Sequence, residues 1–155
     1  FLNIPIVNLS RKPWFKNKGD KWIRVKNFYE STQYLKRKSK RIFLAIGRKN
    51  LEFYKKFDHH FFLLRLLENK NNVSFFPNQK CIISKGPFTV KQDIKILKKY
   101  NIEMIITKNS GGNGAYSKII AARQLNIPVV IISRPRTVSI KKVYDIASVL
   151  DWVNQ

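Results

Sequence analysis

Cysteine occurs once in 155 residues, at Cys81. A single thiol excludes a disulfide framework, supplies no pair for a zinc site, and makes a reducing cytoplasm the expected compartment. Acidic residues are also scarce, with 9 Asp plus Glu against 31 Lys plus Arg. They are scattered, without the paired carboxylates that glycosidic or aspartic chemistry requires. His59 and His60 are adjacent, an arrangement that on a strand sends them to opposite faces, and with only Asp58 nearby they make a poor metal site. No G-x-S-x-G elbow, G-x-G-x-x-G fingerprint or P-loop is present. The most apolar run, Phe61 to Leu67, is interrupted by Arg65 and falls short of the roughly 18 residues a membrane helix needs. The opening Phe1-Leu2-Asn3-Ile4-Pro5 has neither an initiator Met nor a basic stretch leading into an apolar core, so no secretory signal is expected and the chain reads as one entered partway through.

What is present is a hydrophobic content of 44%, enough to fill a core in a chain this long. The net charge of +22 puts anionic partners first. Nucleic acid is nevertheless disfavoured: the cations are spread along the chain among abundant Asn, Ile and Phe, as compositional drift toward Lys on tolerant surfaces also produces, and no RNA-recognition signature, zinc finger or basic heptad array accompanies them. The densest cluster, Lys36-Arg37-Lys38-Ser39-Lys40-Arg41, reads as a solvated helix end ahead of a strand, with a phosphate-binding patch as the alternative.

From Arg41 onward, short runs rich in Ile, Phe and Val alternate with segments of helical period, the pattern of a parallel α/β sheet flanked by helices. Strands are predicted at Arg41 to Ile46, Phe61 to Leu67, Lys80 to Ser84, Ile102 to Thr107 and Val129 to Ser133. Helices are predicted from Thr89 to Tyr100, where Thr89 and Gln92 form a capping box, from Tyr116 to Leu125, and from Ser139 to about Val153, whose stripe of Ile140, Val143, Tyr144, Ala147 and Leu150 is expected in the core. An internal echo extends the reading upstream. Leu2-Asn3-Ile4-Pro5-Ile6-Val7 matches Leu125-Asn126-Ile127-Pro128-Val129-Val130, and both copies run on through Ser-Arg toward Pro, at Pro13 and Pro135. Residues 1–40 are therefore expected to be the tail of one α/β domain with a connecting strand, Lys21 to Lys26, and a helix, Ser31 to Lys38; residues 41–155 are expected to be a second, complete domain.

Ligands of open α/β sheets sit beyond the carboxyl ends of the strands. Three of these exits pair a cation with glycine: Gly47-Arg48, Lys85-Gly86-Pro87-Phe88, and Lys108-Asn109-Ser110-Gly111-Gly112-Asn113-Gly114. The last is expected to cradle a phosphate or carboxylate on free amides at a helix start, and the three together point to a multiply charged anion.

These exits also carry a resemblance. Ile46-Gly47-Arg48, Lys85-Gly86-Pro87-Phe88-Thr89, the run Thr107 to Gly112 with Tyr116, Lys118 and Ala121-Ala122-Arg123 after it, and Arg11-Lys12-Pro13-Trp14 with Asp20-Lys21-Trp22 resemble, in order and spacing, the precorrin-6A reductase family. The resemblance implies two Rossmann-like α/β domains and NADPH-dependent reduction of one double bond of the tetrapyrrole precorrin-6A, or of its cobalt-containing counterpart, in cobalamin biosynthesis. It implies Gly47, Arg48, Lys108, Asn109, Ser110, Gly111 and Gly112 as contacts to the cofactor, and Lys85, Gly86, Thr89, Tyr116, Lys118 and Arg134 as contacts to the tetrapyrrole; no catalytic residue and no metal ligand are assigned. The family's opening strand and Gly-Gly-Thr loop have no counterpart in the sequence, so a fragment is expected. Two other readings stay open at this stage: a basic module that binds nucleic acid, and a catalytically silent remnant.

Overall fold

The computed structural model describes residues 4–68, 74–135 and 140–154. Among these, six parallel strands form the main sheet: β2 (Trp22–Val25), β3 (Arg41–Ala45), β4 (Phe61–Leu66), β5 (Gln79–Ile83), β6 (Met104–Lys108) and β7 (Val129–Ile132). Their spatial order is β2-β7-β6-β3-β4-β5. A separate two-stranded parallel sheet joins β1 (Val7–Leu9) to β8 (Lys141–Val143), with Asn8 opposite Lys142. The fold class is thus α/β, as the alternating pattern predicts.

Side chains alternate across the main sheet because the strand period is two. Ile42, Leu44, Phe62, Leu64, Ile106 and Val130 pack on one face beneath α1 (Phe28–Ser31) and the 3₁₀ segments Thr32–Leu35 and Arg48–Tyr54. Phe43, Leu63, Ile105, Val129 and Ile131 pack on the other, beneath α2 (Val90–Lys99) and α3 (Ser117–Gln124). The capping box at α2 forms as expected: the Gln92 N–H donates to Thr89 Oγ1 at 3.2 Å and the Thr89 N–H to Gln92 Oε1 at 3.0 Å.

Four expectations are corrected. The strand placed in the connection, Lys21 to Lys26, is β2, and it pairs with β7 at the edge of the main sheet, so this sheet begins upstream of Arg41. The helix expected from Ser31 to Lys38 starts earlier, capped by the Asn27 side chain on the Glu30 N–H, and tightens into a 3₁₀ turn ending at Leu35. The helix expected from Ser139 is divided. Ser139 lies outside the described residues; Lys141–Val143 is drawn into pairing with β1, and Asp145 starts a new helix, α4 (Ile146–Val153), by accepting from the Ser148 N–H and hydroxyl. No residue of α4 is buried, so Ala147 and Leu150 are not core; of the stripe only Val143, on β8, is buried. Finally, His59 and His60 precede β4 rather than lying on a strand, and their ring centroids are 4.0 Å apart. His60 is buried, bonded through Nδ1 to the Lys40 N–H and through Nε2 to the Leu35 carbonyl, and burial holds its pKa below the usual value.

Candidate functional site

The strand order reverses between β3 and β6: from β3 the chain runs outward through β4 and β5, then returns to the other side for β6 and β7. A crevice opens at the carboxyl end of such a switch point. Ala45 and Thr107 are register partners there, and Thr107 Oγ1 donates to the Ala45 carbonyl at 3.2 Å. The residues leaving these neighbouring strands are Gly47-Arg48 and Lys108-Asn109-Ser110. Gly47 is exposed, has φ +81°, and would meet nothing within 4 Å if it carried a Cβ. The Arg48 guanidinium stands 5.4 Å from the Phe75 ring centroid. Lys108 and Ser110 line a cleft of about 460 Å³ together with Lys26 and Phe28.

The glycine-rich loop packs against the segment at residues 10–14. Three of its amides are engaged: Asn109 N–H with the Ile132 carbonyl, Ser110 N–H with the Lys108 carbonyl, and Gly112 N–H with the Lys12 carbonyl at 3.1 Å. Asn109 accepts from the Trp14 N–H and donates to the Trp14 carbonyl, and the Trp14 indole N–H donates to the Gly112 carbonyl at 2.6 Å. Arg134 closes the same junction, through Nε to the Asn109 carbonyl at 2.8 Å and through Nη1 to Ser10 Oγ and the Arg11 carbonyl. A Cβ on Gly111 would overlap Arg134 Nη2 and the Lys12 carbonyl oxygen. The close approach that glycine permits is to the segment at residues 10–14, which the loop seats. The ends of the two echoed sequences thus meet, Arg134 of one on Ser10-Arg11 of the other.

Of the remaining candidates, Thr89 caps α2. Gly86 lies against the glycine-rich loop, where a Cβ would stand 3.6 Å from the Gly114 carbonyl oxygen, and Lys85 beside it is exposed. The Tyr116 hydroxyl receives Asn17 Nδ2 at 2.9 Å and Arg123 Nη2 at 3.1 Å. Lys118 is 5% exposed; its Nζ donates to the Ala115 carbonyl at 2.7 Å and lies 4.9 Å from the Trp14 ring centroid. Burial pushes its pKa down to about 8, the Asp93 carboxylate opposing and the Arg65 guanidinium reinforcing the shift.

Two features escape local sequence reasoning. Arg65, which only interrupts an apolar run in the sequence, is a buried cation paired with Asp93 and held between the Phe43 and Phe88 rings at 5.0 and 4.1 Å; Asp93 also accepts from Ser117 Oγ at 2.6 Å. Its lone charge within a strand was the signal. The second is a cleft of about 570 Å³ lined by Arg24, Lys142, Tyr144, Phe15 and Arg134 among others. Apart from Arg134, which the resemblance names, these residues come from separate stretches of chain, so no local pattern marks them as a group.

Comparison with known proteins places residues 1–154 within the family model described as precorrin-6x reductase CbiJ/CobK. The chain is 33% identical over 150 residues to the precorrin-6A reductase of Rhodobacter capsulatus, covering 97% of this chain and 60% of that protein. It is 32% identical to the precorrin-6A reductase of Rhodococcus erythropolis, with coverage of 97% and 60%. The cobalt-precorrin-6A reductase of Methanocaldococcus jannaschii is 27% identical over 87% of this chain and 55% of its own. A solved structure, CobK precorrin-6A reductase, superposes with a TM-score of 0.93 at 32% identity, covering 97% of this chain and 62% of the other. The chain spans about 60% of the length of the curated relatives it matches first.

Proposed function

The chain belongs to the precorrin-6x reductase CbiJ/CobK family, and from that premise we propose that it forms part of an NADPH-dependent oxidoreductase that reduces one double bond of precorrin-6A, or of its cobalt-containing counterpart, in cobalamin biosynthesis. The observation that carries the cofactor assignment is the crevice where β3 and β6 part, because its walls meet three demands of a dinucleotide at once. Space is left above Gly47, which has no neighbour within 4 Å of a Cβ position. Positive charge comes from exposed Lys108, which lines the same cleft as Lys26, and from exposed Arg48 at the neighbouring exit, its guanidinium beside Phe75. Ser110 supplies a hydroxyl beside Lys108. A dinucleotide phosphate is recognised by this combination of close backbone approach and cations.

NADPH would supply the hydride, so the protein's work is binding, orientation and charge. Gly47, Arg48, Lys108 and Ser110 would hold the phosphates. Asn109, Gly111 and Gly112 act one step removed, by fixing the loop that presents Lys108 and Ser110. Lys85 and Arg134 would face acidic groups of the tetrapyrrole, whereas Thr89, Tyr116 and Lys118 position α2, Trp14 and the loop at residues 113–116. We further propose that the chain divides into two units, one built on the main sheet from β2 onward and one built from β1, β8 and α4, which the opposite ends of the chain supply together.

The test is a fluorescence titration of the purified protein with NADPH, followed by NADPH oxidation with precorrin-6A present and absent. Binding that weakens at least tenfold in Lys108→Ala, with oxidation dependent on the precorrin, is the expected result. Undiminished binding in both Lys108→Ala and Arg48→Ala would remove the cofactor from this crevice.

A further inference from the structure

Five of the six residues from Lys36 to Arg41 are cations, and they occupy the turn that leads from the 3₁₀ segment ending at Leu35 into β3. Lys36, Arg37 and Lys38 are exposed. A run of like charge repels itself, so this turn keeps one shape only where other bonds hold it. Those bonds come from His59 and His60, just ahead of β4. Ser39 Oγ donates to the His59 carbonyl at 2.6 Å, and His59 Nε2 donates to the Arg37 carbonyl at 3.2 Å. The His60 ring bridges the two ends of the turn, bonded at 2.9 Å to the Lys40 N–H and at 2.9 Å to the Leu35 carbonyl.

The bonds of His60 fix its protonation. A backbone N–H can only donate and a carbonyl can only accept, so the ring is the neutral tautomer, with Nδ1 accepting from Lys40 and Nε2–H donating to Leu35. A proton arriving at Nδ1 takes the lone pair that the Lys40 N–H uses. Two N–H groups then face each other, while the bond to Leu35 survives. The ring is wholly buried, so the imidazolium finds no water in place.

The surrounding charges make that state worse. Lys40 adjoins the ring, His59 stacks on it with centroids 4.0 Å apart, and Lys36, Arg37 and Lys38 follow along the turn. Leu35 from the 3₁₀ segment and the Phe62 ring of β4, at 5.9 Å, carry no charge. Lys56 and Asp58 lie in the run before His59, Asp58 being exposed. Glu103 is engaged by the Arg41 N–H at 2.9 Å, and Glu52 is paired with Lys55.

We propose that His60, backed by His59, is a proton-operated clip on the basic turn at residues 36–40: the neutral ring holds the turn against the starts of β3 and β4, and protonation lets go of its Lys40 end and releases it. Burial, with His59 and Lys40 adding to it, keeps the held ring below its ordinary pKa of 6.5. A released ring takes up its proton at the ordinary value, so the clip is at full strength above about 6.5 and weakens as pH falls below it. The turn lies at the amino ends of β3 and β4, whereas the proposed cofactor crevice lies at the carboxyl end of β3, so release leaves Gly47 and Lys108 where they are.

Nuclear magnetic resonance of the ¹⁵N-labelled protein reads both halves of the device. Ring nitrogen shifts give the tautomer and titration of His60, and amide exchange, corrected for its intrinsic pH dependence, gives the hold on the turn. The Nε2–H tautomer is expected near neutrality, and protection of the Lys40 amide should fall at least about threefold between about pH 7 and about pH 5.5 while that of Ile105 in β6 is unchanged. His60→Phe should lower Lys40 protection at both pH values and remove the pH response. His59→Gln should keep the response, because His60 is intact. An Nδ1–H tautomer, unchanged Lys40 protection while His60 titrates, or a parallel loss at Ile105 would overturn the proposal. Loss of the response in His59→Gln would also overturn it, by assigning the response to His59. Should His60→Phe fail to fold, the tautomer and the His59→Gln titration decide the matter on their own.

Discussion

Asn109 holds both main-chain polar groups of Trp14, its Oδ1 accepting from the Trp14 N–H at 2.8 Å and its Nδ2 donating to the Trp14 carbonyl at 2.9 Å. The side-chain amide thereby acts as a one-residue strand partner for a segment 95 positions away. This joins the glycine-rich exit of β6 to the segment that follows β1, and it makes the loop a structural junction beside the proposed cofactor crevice.

Asn109→Ala should therefore act on stability before it acts on binding. It leaves a part-buried N–H and carbonyl without partners, at a cost of roughly 2 to 3 kcal/mol. Asn109→Asp should cost at least as much, because its second oxygen would face the Trp14 carbonyl. Urea denaturation measures both; a change within about 0.5 kcal/mol for Asn109→Ala would show that the junction does not depend on this amide.

The glycines of two exits should respond differently. Gly111→Ala places a Cβ onto Arg134 Nη2 and the Lys12 carbonyl at φ +67°, and should abolish or severely reduce folded protein. Gly47→Ala meets no neighbour, so its penalty is the backbone strain of φ +81° and ψ 155°, about 1 to 3 kcal/mol. The variant should fold and lose NADPH affinity. Equal soluble yields from Gly111→Ala and wild type would contradict the packing described for the loop.

Stability should rise with pH above neutrality. The Lys118 pKa lies at about 8 when folded against 10.5 when unfolded, so between these values the unfolded chain binds the proton that the folded one has released, and stability increases with pH. Below about 8 both states are protonated and the full penalty, on the order of 3 kcal/mol, is present. Tyr54 works in the opposite direction at higher pH. Burial raises it to about 12 from 10, so the unfolded chain loses its proton first and stability falls as pH rises between them. Unfolding free energies in Lys118→Met should lose the rise, and those in Tyr54→Phe should lose the fall; an unaltered profile in Lys118→Met would assign the rise to another group.

Asp93→Asn should destabilise strongly, by about 3 to 5 kcal/mol, because it strips the counter-charge from Arg65, which stays enclosed by Phe43 and Phe88. Arg65→Met with Asp93→Leu should recover much of this loss. A double-mutant cycle with additive effects would mean that the pair is not coupled.

The main-sheet strands from Arg41 onward were legible to within about two residues at each end, since their apolar runs are local and both faces of the sheet are covered. The helix after Thr89 was legible for a similar reason: a cap and its box lie within four residues of each other. The last helix was misread because Ile140, Val143 and Tyr144 satisfy a helical period as well as a strand followed by a cap. Only the unpaired edge of β1 makes the strand the better use of Lys141–Val143.

The sequence by itself determined the α/β class, the family, and which exits face the carboxyl side of the sheet, because periodicity, caps and short motifs act over a few neighbouring residues. The tertiary structure decided the rest: β2 at the sheet edge beside β7, the seat of Trp14 on Asn109, Arg65 buried against Asp93, and Arg24 brought into one cleft with Lys142. In each case a polar or charged group is satisfied, or left unsatisfied, by residues distant in the chain. The partner a backbone amide or a cation finds is set by which surfaces the folded sheets bring together, and no local pattern records that choice.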